Sequence, residues 1–208
     1  SKNKKINRLT TDSVVFIDPT LNPDGRDRHS QWANQYKSIN LVADSNDAEH
    51  NESWPRGRTN HYWFDLNRDW LLAIHPESRG KLNWLHEWYP NVVLDVHEMG
   101  TNSNYFFDPM KSSASVKPLI PQENVDLYPI FAEYYVKYMD SIGSFYYTKE
   151  SFDETYPGYG STYSDLQGGL ALLFEQASSR GHVQETNYGE MTFGFTIRNQ
   201  FLNGIATV

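Results

Sequence analysis

The chain has 208 residues, 38% hydrophobic and 15% aromatic, enough for one domain with a substantial core and too apolar for bulk disorder. A formal net charge of −8 argues against nucleic acid and against an anionic membrane surface as partners. Cysteine is absent, so disulfides and thiolate metal sites are excluded and any metal must be held by His, Asp or Glu.

In chain order, Ser1-Lys2-Asn3-Lys4-Lys5 has no signal-peptide pattern and reads as the interior of a longer chain. Val14-Val15-Phe16-Ile17 is a short β-branched apolar run that predicts a strand, stopped by Asp18-Pro19. Asn22-Pro23-Asp24-Gly25 is a dense turn signal. Residues 38–56 are rich in Asn, Asp, Glu and Ser and read as a solvated loop; the EF-hand spacing is absent, because Ala48 stands where the third ligand belongs. Asn51-Glu52-Ser53 is a glycosylation sequon, relevant only in a eukaryotic secretory host.

Pro76-Glu77 opens a helix with Leu82, Leu85 and Trp88 on one face and a stop at Pro90. A second helix is predicted to open at Pro129, with Ile130, Phe131, Tyr134, Tyr135, Tyr138 and Ile142 as a core stripe and Gly143 as its end. A third runs from about Thr192, with Phe193, Ile197, Phe201 and Ile205 in register, and reaches Val208 without a stop signal. The chain thus reads as cut at both ends. No apolar stretch approaches membrane-spanning length.

Three apolar runs, 14–17, 92–96 and 170–174, lack alternation, as strands buried on both faces do. They predict central strands of an α/β sheet. Each meets a polar group at its end: Asp18, His97 and Glu175. Ligands of open α/β sheets bind outside the carboxyl ends of strands. A buried strand must also end somewhere, and one polar terminus carries little by itself. His97 and Glu175 together, downstream of Asp65-Leu66-Asn67-Arg68, point to metal-assisted hydrolysis of a substrate bearing its own carboxylate.

Five motifs in order carry a resemblance over nearly the whole chain: Asn22-Pro23-Asp24-Gly25, Gly57-Arg58-Thr59-Asn60, Asp65-Leu66-Asn67-Arg68, Leu94-Asp95-Val96-His97 and Phe174-Glu175. The chain resembles the zinc metallocarboxypeptidases of carboxypeptidase A type, and His97-Glu98-Met99-Gly100 resembles a bacterial branch of them. The resemblance implies a mixed, largely parallel twisted sheet with helices on both faces. It implies Zn2+ as cofactor, a peptide or small amide as substrate, and a periplasmic or secreted location. By the same resemblance, His97 is a zinc ligand, Glu175 the general base, and Arg58 the group that polarises the scissile carbonyl. Asn67 and Arg68 grip the terminal carboxylate, and Asp65 orients the first zinc histidine. Tyr156 resembles the mobile tyrosine that closes over substrate, with Tyr159 and Tyr163 as competitors for the role. The specificity pocket falls near Thr162-Tyr163, where no acid is seen to select Lys or Arg.

One part of the pattern departs. The family carries a His-x-x-Glu zinc pair before the Asn-Pro-Asp-Gly turn, and none of the residues ahead of Asn22 is His or Glu. His182-Val183-Gln184-Glu185 has the right letters at the wrong place in the fold order and reads as coincidence. The pair is therefore expected on an upstream segment, joined or associated as a fragment. Two rivals stand beside the carboxypeptidase: an amidohydrolase of the same fold acting on peptidoglycan stem peptides or N-acyl amino acids, and a non-catalytic carboxylate binder without zinc. Glu98, facing away from His97, reads equally as a supporting group or a salt-bridge partner.

Overall fold

The computed structural model describes residues 4–111 and 119–208; Ser1, Lys2 and Asn3 of the opening stretch lie outside them. A short helix, α1 (Lys4–Leu9), leads into an extended segment. The strand expected at 14–17 is not there. Val14 and Ile17 are 75% and 83% exposed, and the run pairs with no strand among the described residues. Apolar content signals a demand for burial but names no hydrogen-bonding partner. What the run finds is a ring contact: Phe16 packs on Trp84 and Trp88.

Asn22-Pro23-Asp24-Gly25 opens a helix, α2 (Pro23–Tyr36). Asn22 is its N-cap, accepting from Gly25 N–H at 3.0 Å, and Pro23 takes the first position, where its missing N–H is not needed. The Asn22 amide also donates to the carbonyl of Arg58 at 3.3 Å, so the cap fastens the segment carrying that arginine. α3 (Pro76–Trp88) begins and ends as its sequence predicts: Pro76 at the start, Tyr89 in the left-handed region at φ 46° as C-cap, Pro90 beyond.

β1 (Val92–Met99) and β2 (Tyr105–Phe107) flank β3 in a three-stranded sheet of order β1-β3-β2, where β3 is Leu170–Ala177. β1 runs parallel to β3, with His97 opposite Glu175, and β2 runs antiparallel to it. β3 is the central strand its unbroken apolar run predicts. β1 is not central: it is an edge among the described residues, with Val96 53% exposed. Its most buried residue is a carboxylate, Asp95, at 5% exposure. β4 (Val183–Thr186) and β5 (Gly189–Thr192) form a separate hairpin.

Helices cover both sheet faces. α4 (Gln122–Ser141) packs Tyr128, Ala132, Tyr135 and Met139 against Leu170, Leu172 and Phe174. It opens about two turns earlier than expected, with Pro129 inside it; residues 122–128 are polar enough to hide the start, and one lost backbone hydrogen bond does not stop a helix anchored by Tyr128. Its end is the expected one. Gly143, at φ 63°, and Ser144 donate back to Asp140 and Met139, satisfying the last carbonyls. The other face carries Val93 of β1, Leu82 and Leu85 of α3, Tyr163 of a single turn α5 (Gly160–Tyr163), and Trp70 from the segment ahead of α3.

α6 (Phe193–Thr207) starts at its predicted cap, Thr192, but turns the opposite face inward. Thr196, Asn199 and Asn203 are buried, while Phe193, Ile197 and Phe201 of the apolar stripe are more than half exposed. Asn199 and Gln200 tie this side of the helix to the sheet: Asn199 donates to Gln176 and Ser144 at 2.9 and 3.0 Å, and Gln200 joins the Tyr105 hydroxyl to the His97 carbonyl. The segment 38–56 is likewise not simply solvated. A 3-10 turn at Ala48–His50 buries Glu49, which accepts from the backbone N–H of His182 at 2.6 Å and from its ring. No helix among the described residues is long and apolar enough to cross a membrane.

Candidate active site

Side chains alternate along a strand, so Asp95 and His97 share one face of β1, and Glu175 stands on the same face of β3. This is the α3/α5 face, at the carboxyl ends of two parallel strands. His97 is partly buried. Its Nε2 lies 2.8 Å from Asp95 Oδ1 and 3.0 Å from Asn67 Nδ2. Burial lowers the pKa of the ring, but the Asp95 carboxylate, its hydrogen bond and Glu175 together outweigh that, and the net direction is up. Glu175 leaves Oε2 buried with no hydrogen-bond partner. Burial pushes its pKa up to about 7, with Asp95 and Glu98 adding to the rise and His97 and Arg58 opposing it.

The loop residues reach the same place by short-range bonds. Asp65 caps a 3-10 turn at Leu66–Arg68 by accepting from Asn67 N–H at 2.9 Å. Its other oxygen receives Arg58 Nε at 2.9 Å and stands 3.7 Å from Arg68. Asn67 Oδ1 accepts from Gly160 N–H at 2.9 Å, tying this turn to α5. Arg68 lies over the Tyr159 ring, 4.4 Å from its centre, and the Tyr156 hydroxyl donates to the Arg68 carbonyl at 3.2 Å. Tyr163 is elsewhere: it is buried, with its hydroxyl 2.9 Å from His86 on α3. Of the three competing tyrosines, Tyr156 and Tyr159 stay beside Arg68 and Tyr163 does not.

Three other expectations resolve in bonds. Glu98 accepts from Ser178 at 3.0 Å and has no salt bridge among the described residues. His182 is taken by Glu49, and Glu185 points to solvent from β4, so this pair offers no ligand set with His97. A strand-end Glu can simply pair with a nearby Arg such as Arg180, but among the described residues Glu175 and Arg180 form no ion pair.

Sequence reasoning passed over Asp95, although a carboxylate two residues before a strand-end histidine must share its face. It also passed over a buried acid group: Asp108, Glu154 and Asp165 are all nearly inaccessible, and among the described residues none forms an ion pair. Burial raises all three, and the charges of Asp108 and Asp165 raise Glu154 further. Asp165 accepts from Tyr128 and Asn124 at 2.9 and 2.6 Å. Asp108 accepts from Leu173 N–H, two residues before Glu175, and Glu154 lies on the loop that leads to Tyr156.

No family model matches the chain. The metallo-carboxypeptidase of Burkholderia cenocepacia superposes with a TM-score of 0.63 and 17% identity, covering 99% of this chain and 46% of that one. A Burkholderia mallei structure assigned as a carboxypeptidase gives 0.62 and 16%, covering 98% and 46%. The fold is that of the metallo-carboxypeptidases. The human carboxypeptidase N catalytic chain is a distant sequence relative, 24% identical over 120 residues, which are 52% of this chain and 26% of that protein. The chain thus spans less than half the length of each protein of metallo-carboxypeptidase fold named here.

A metal fits this site in part. His97 engages Asp95 and Asn67 through Nε2, and Glu175 offers an unpartnered buried oxygen on the same face of the sheet. No three ligand atoms gather at His97 among the described residues. The trio that does gather is Asp24, His61 and Glu77. Asp24 and Glu77 sit in the first turns of α2 and α3, whose amide ends repel cations, and His61, on the segment between those helices, already pairs with Asp24 at 2.6 Å.

Proposed function

We propose that these 208 residues form part of the catalytic domain of a zinc carboxypeptidase that hydrolyses a C-terminal peptide or related amide bond, in a periplasmic or secreted setting. The observation that carries the reading is the unpartnered, buried oxygen of Glu175 on the same sheet face as His97, its neighbour across the parallel pair. His97 would hold Zn2+ through Nδ1, and a His-x-x-Glu pair on another segment of the same protein would complete the ligands. Zinc, when bound, supplies Lewis-acid polarisation of the scissile carbonyl and of water.

The chain's own residues do the rest. Arg68 receives the substrate's terminal carboxylate on its planar fork, already oriented by Asp65 and the Tyr159 ring. Asn67, held by Gly160, presents its amide nitrogen beside it. Tyr156 exchanges its bond to the Arg68 carbonyl for the substrate and screens the cleft from water. Glu175 takes a proton from the attacking water and passes it to the leaving amine; its partly desolvated carboxylate suits both transfers. Arg58 sits close enough to Glu175 and His97 to act on their charges, and it steadies the oxyanion.

Glu175→Gln in the protein with complete ligands should leave zinc bound and slow turnover by about 10²–10⁴-fold, the usual worth of a positioned base. Unchanged turnover with zinc in place would remove Glu175 from the chemistry. One observation favours the binding relative instead: the described residues present a single ligand at His97. Zinc-free binding of free-acid peptides, with no cleavage, is the result that reading requires.

A further inference from the structure

We propose that Asp95 is the positioning residue for His97, accepting the Nε2 proton and so leaving Nδ1 as the nitrogen offered to the metal. The inference rests on His97 being a metal ligand, as read above. Asp95 Oδ1 is 2.8 Å from Nε2, on the same strand face and two residues away, and the carboxylate is 5% exposed. A ligating imidazole commonly donates its other N–H to a carboxylate, which fixes tautomer and ring orientation and raises basicity.

A second group competes for the same nitrogen. Asn67 Nδ2 lies 3.0 Å from Nε2, and an amide N–H can donate only if Nε2 is bare. The amide cannot be turned to resolve this, because Asn67 Oδ1 is held by Gly160 N–H. A bare Nε2 would set its lone pair against Asp95 Oδ1 and leave a buried carboxylate without a donor. Oδ2 already lacks a partner. The charge-assisted bond to Asp95 is the stronger of the two, so Nε2 carries the proton.

The carboxylate is itself locked. A Cβ on Gly160 would come within 2.6 Å of Asp95 Oδ2 and 2.7 Å of Trp70 Cζ2, so α5 closes directly on it. The Lys81 ammonium lies over Trp70, 3.4 Å from the ring centre. Burial pulls Lys81 down to about 8, and Asp95 is the first charge that holds it up. Among the described residues Lys81 forms no ion pair with Asp95 and stays an electrostatic neighbour, which leaves the directed bond to His97.

The test begins with the metal-free chain, its histidines 15N-labelled and His97 assigned by its loss in His97→Gln. Two-bond nitrogen–proton correlations, recorded above the ring's titration, report which nitrogen carries the proton. We expect Nε2–H, with a downfield, slowly exchanging proton. An Nδ1–H tautomer would assign the contact to Asn67 and overturn the proposal while leaving the carboxypeptidase reading standing. Asp95→Ala should abolish the downfield proton and, in the protein with complete ligands, weaken zinc by about 10–100-fold in competition with a chromophoric chelator. Asp95→Asn, of the same shape, guards against a folding defect and should weaken zinc by less. Wild-type zinc affinity in both variants would overturn the positioning role. Undiminished zinc in His97→Gln would overturn the metal reading itself, and the proposal with it.

Discussion

His97 and Glu175 are legible as site residues because a polar group closing an unbroken apolar strand is conspicuous. Their supports are less so. Asn67 meets Gly160 across 93 positions, and no local pattern encodes that bond. Gly160 stands in a run of loop-forming residues and reads as a hinge, yet its φ is not in the left-handed region; it is glycine because Asp95 and Trp70 leave no room. Gly160→Ala should therefore destabilise the fold by about 1–3 kcal/mol through overpacking, seen as a lower urea midpoint at unchanged slope. Wild-type stability in that variant would mean that α5 and β1 separate easily, and that Asp95 is not locked.

Helix ends were the readable part of the elements. Pro76, Pro90, Gly143 and Thr192 each mark a boundary through backbone chemistry local to the residue. Faces were not readable in the same way. The stripe of α6 says which side is apolar, and only the partners of Asn199 and Gln200 decide which side is buried. The acid group of Asp108, Glu154 and Asp165 joins the end of β2, the Tyr156 loop and the turn before β3, and it faces Tyr128 and Asn124 of α4. Glu154 moves from 4.5 to about 9, mainly through burial and then through Asp108. A carboxyl whose folded pKa is raised keeps its proton longer in the folded state, so stability falls as pH rises between those values. Asp108 and Asp165 act with the same sign lower in the window. Thermal melts from pH 5 to 9 should show a steady loss of stability, at most about 1.4 kcal/mol per pH unit for each retained proton. Glu154→Gln should flatten the upper part of that profile. An identical slope in wild type and variant would show that Glu154 titrates normally.

At the scale of the molecule, the α/β class follows from apolar runs alternating with helical patterns, and the fold is that of the metallo-carboxypeptidases. The sheet order β1-β3-β2 was not readable, because the pairing of Val92–Met99 with Leu170–Ala177 joins segments more than 70 residues apart through loops of no distinctive pattern. The run at 14–17 shows the complementary limit: among the described residues this apolar segment has no strand beside it and stays unpaired. In the proposed function Arg68 would read a terminal carboxylate for a reaction at His97 and Glu175. The direct measurement is cleavage of one peptide series, as free acid and as C-terminal amide, by the protein with its zinc ligands complete. Release of the last residue is expected from the free acids, with the amides slower by at least about tenfold, the worth of a charge-assisted bond of roughly 1.5–3 kcal/mol. Equal cleavage of acids and amides would contradict it.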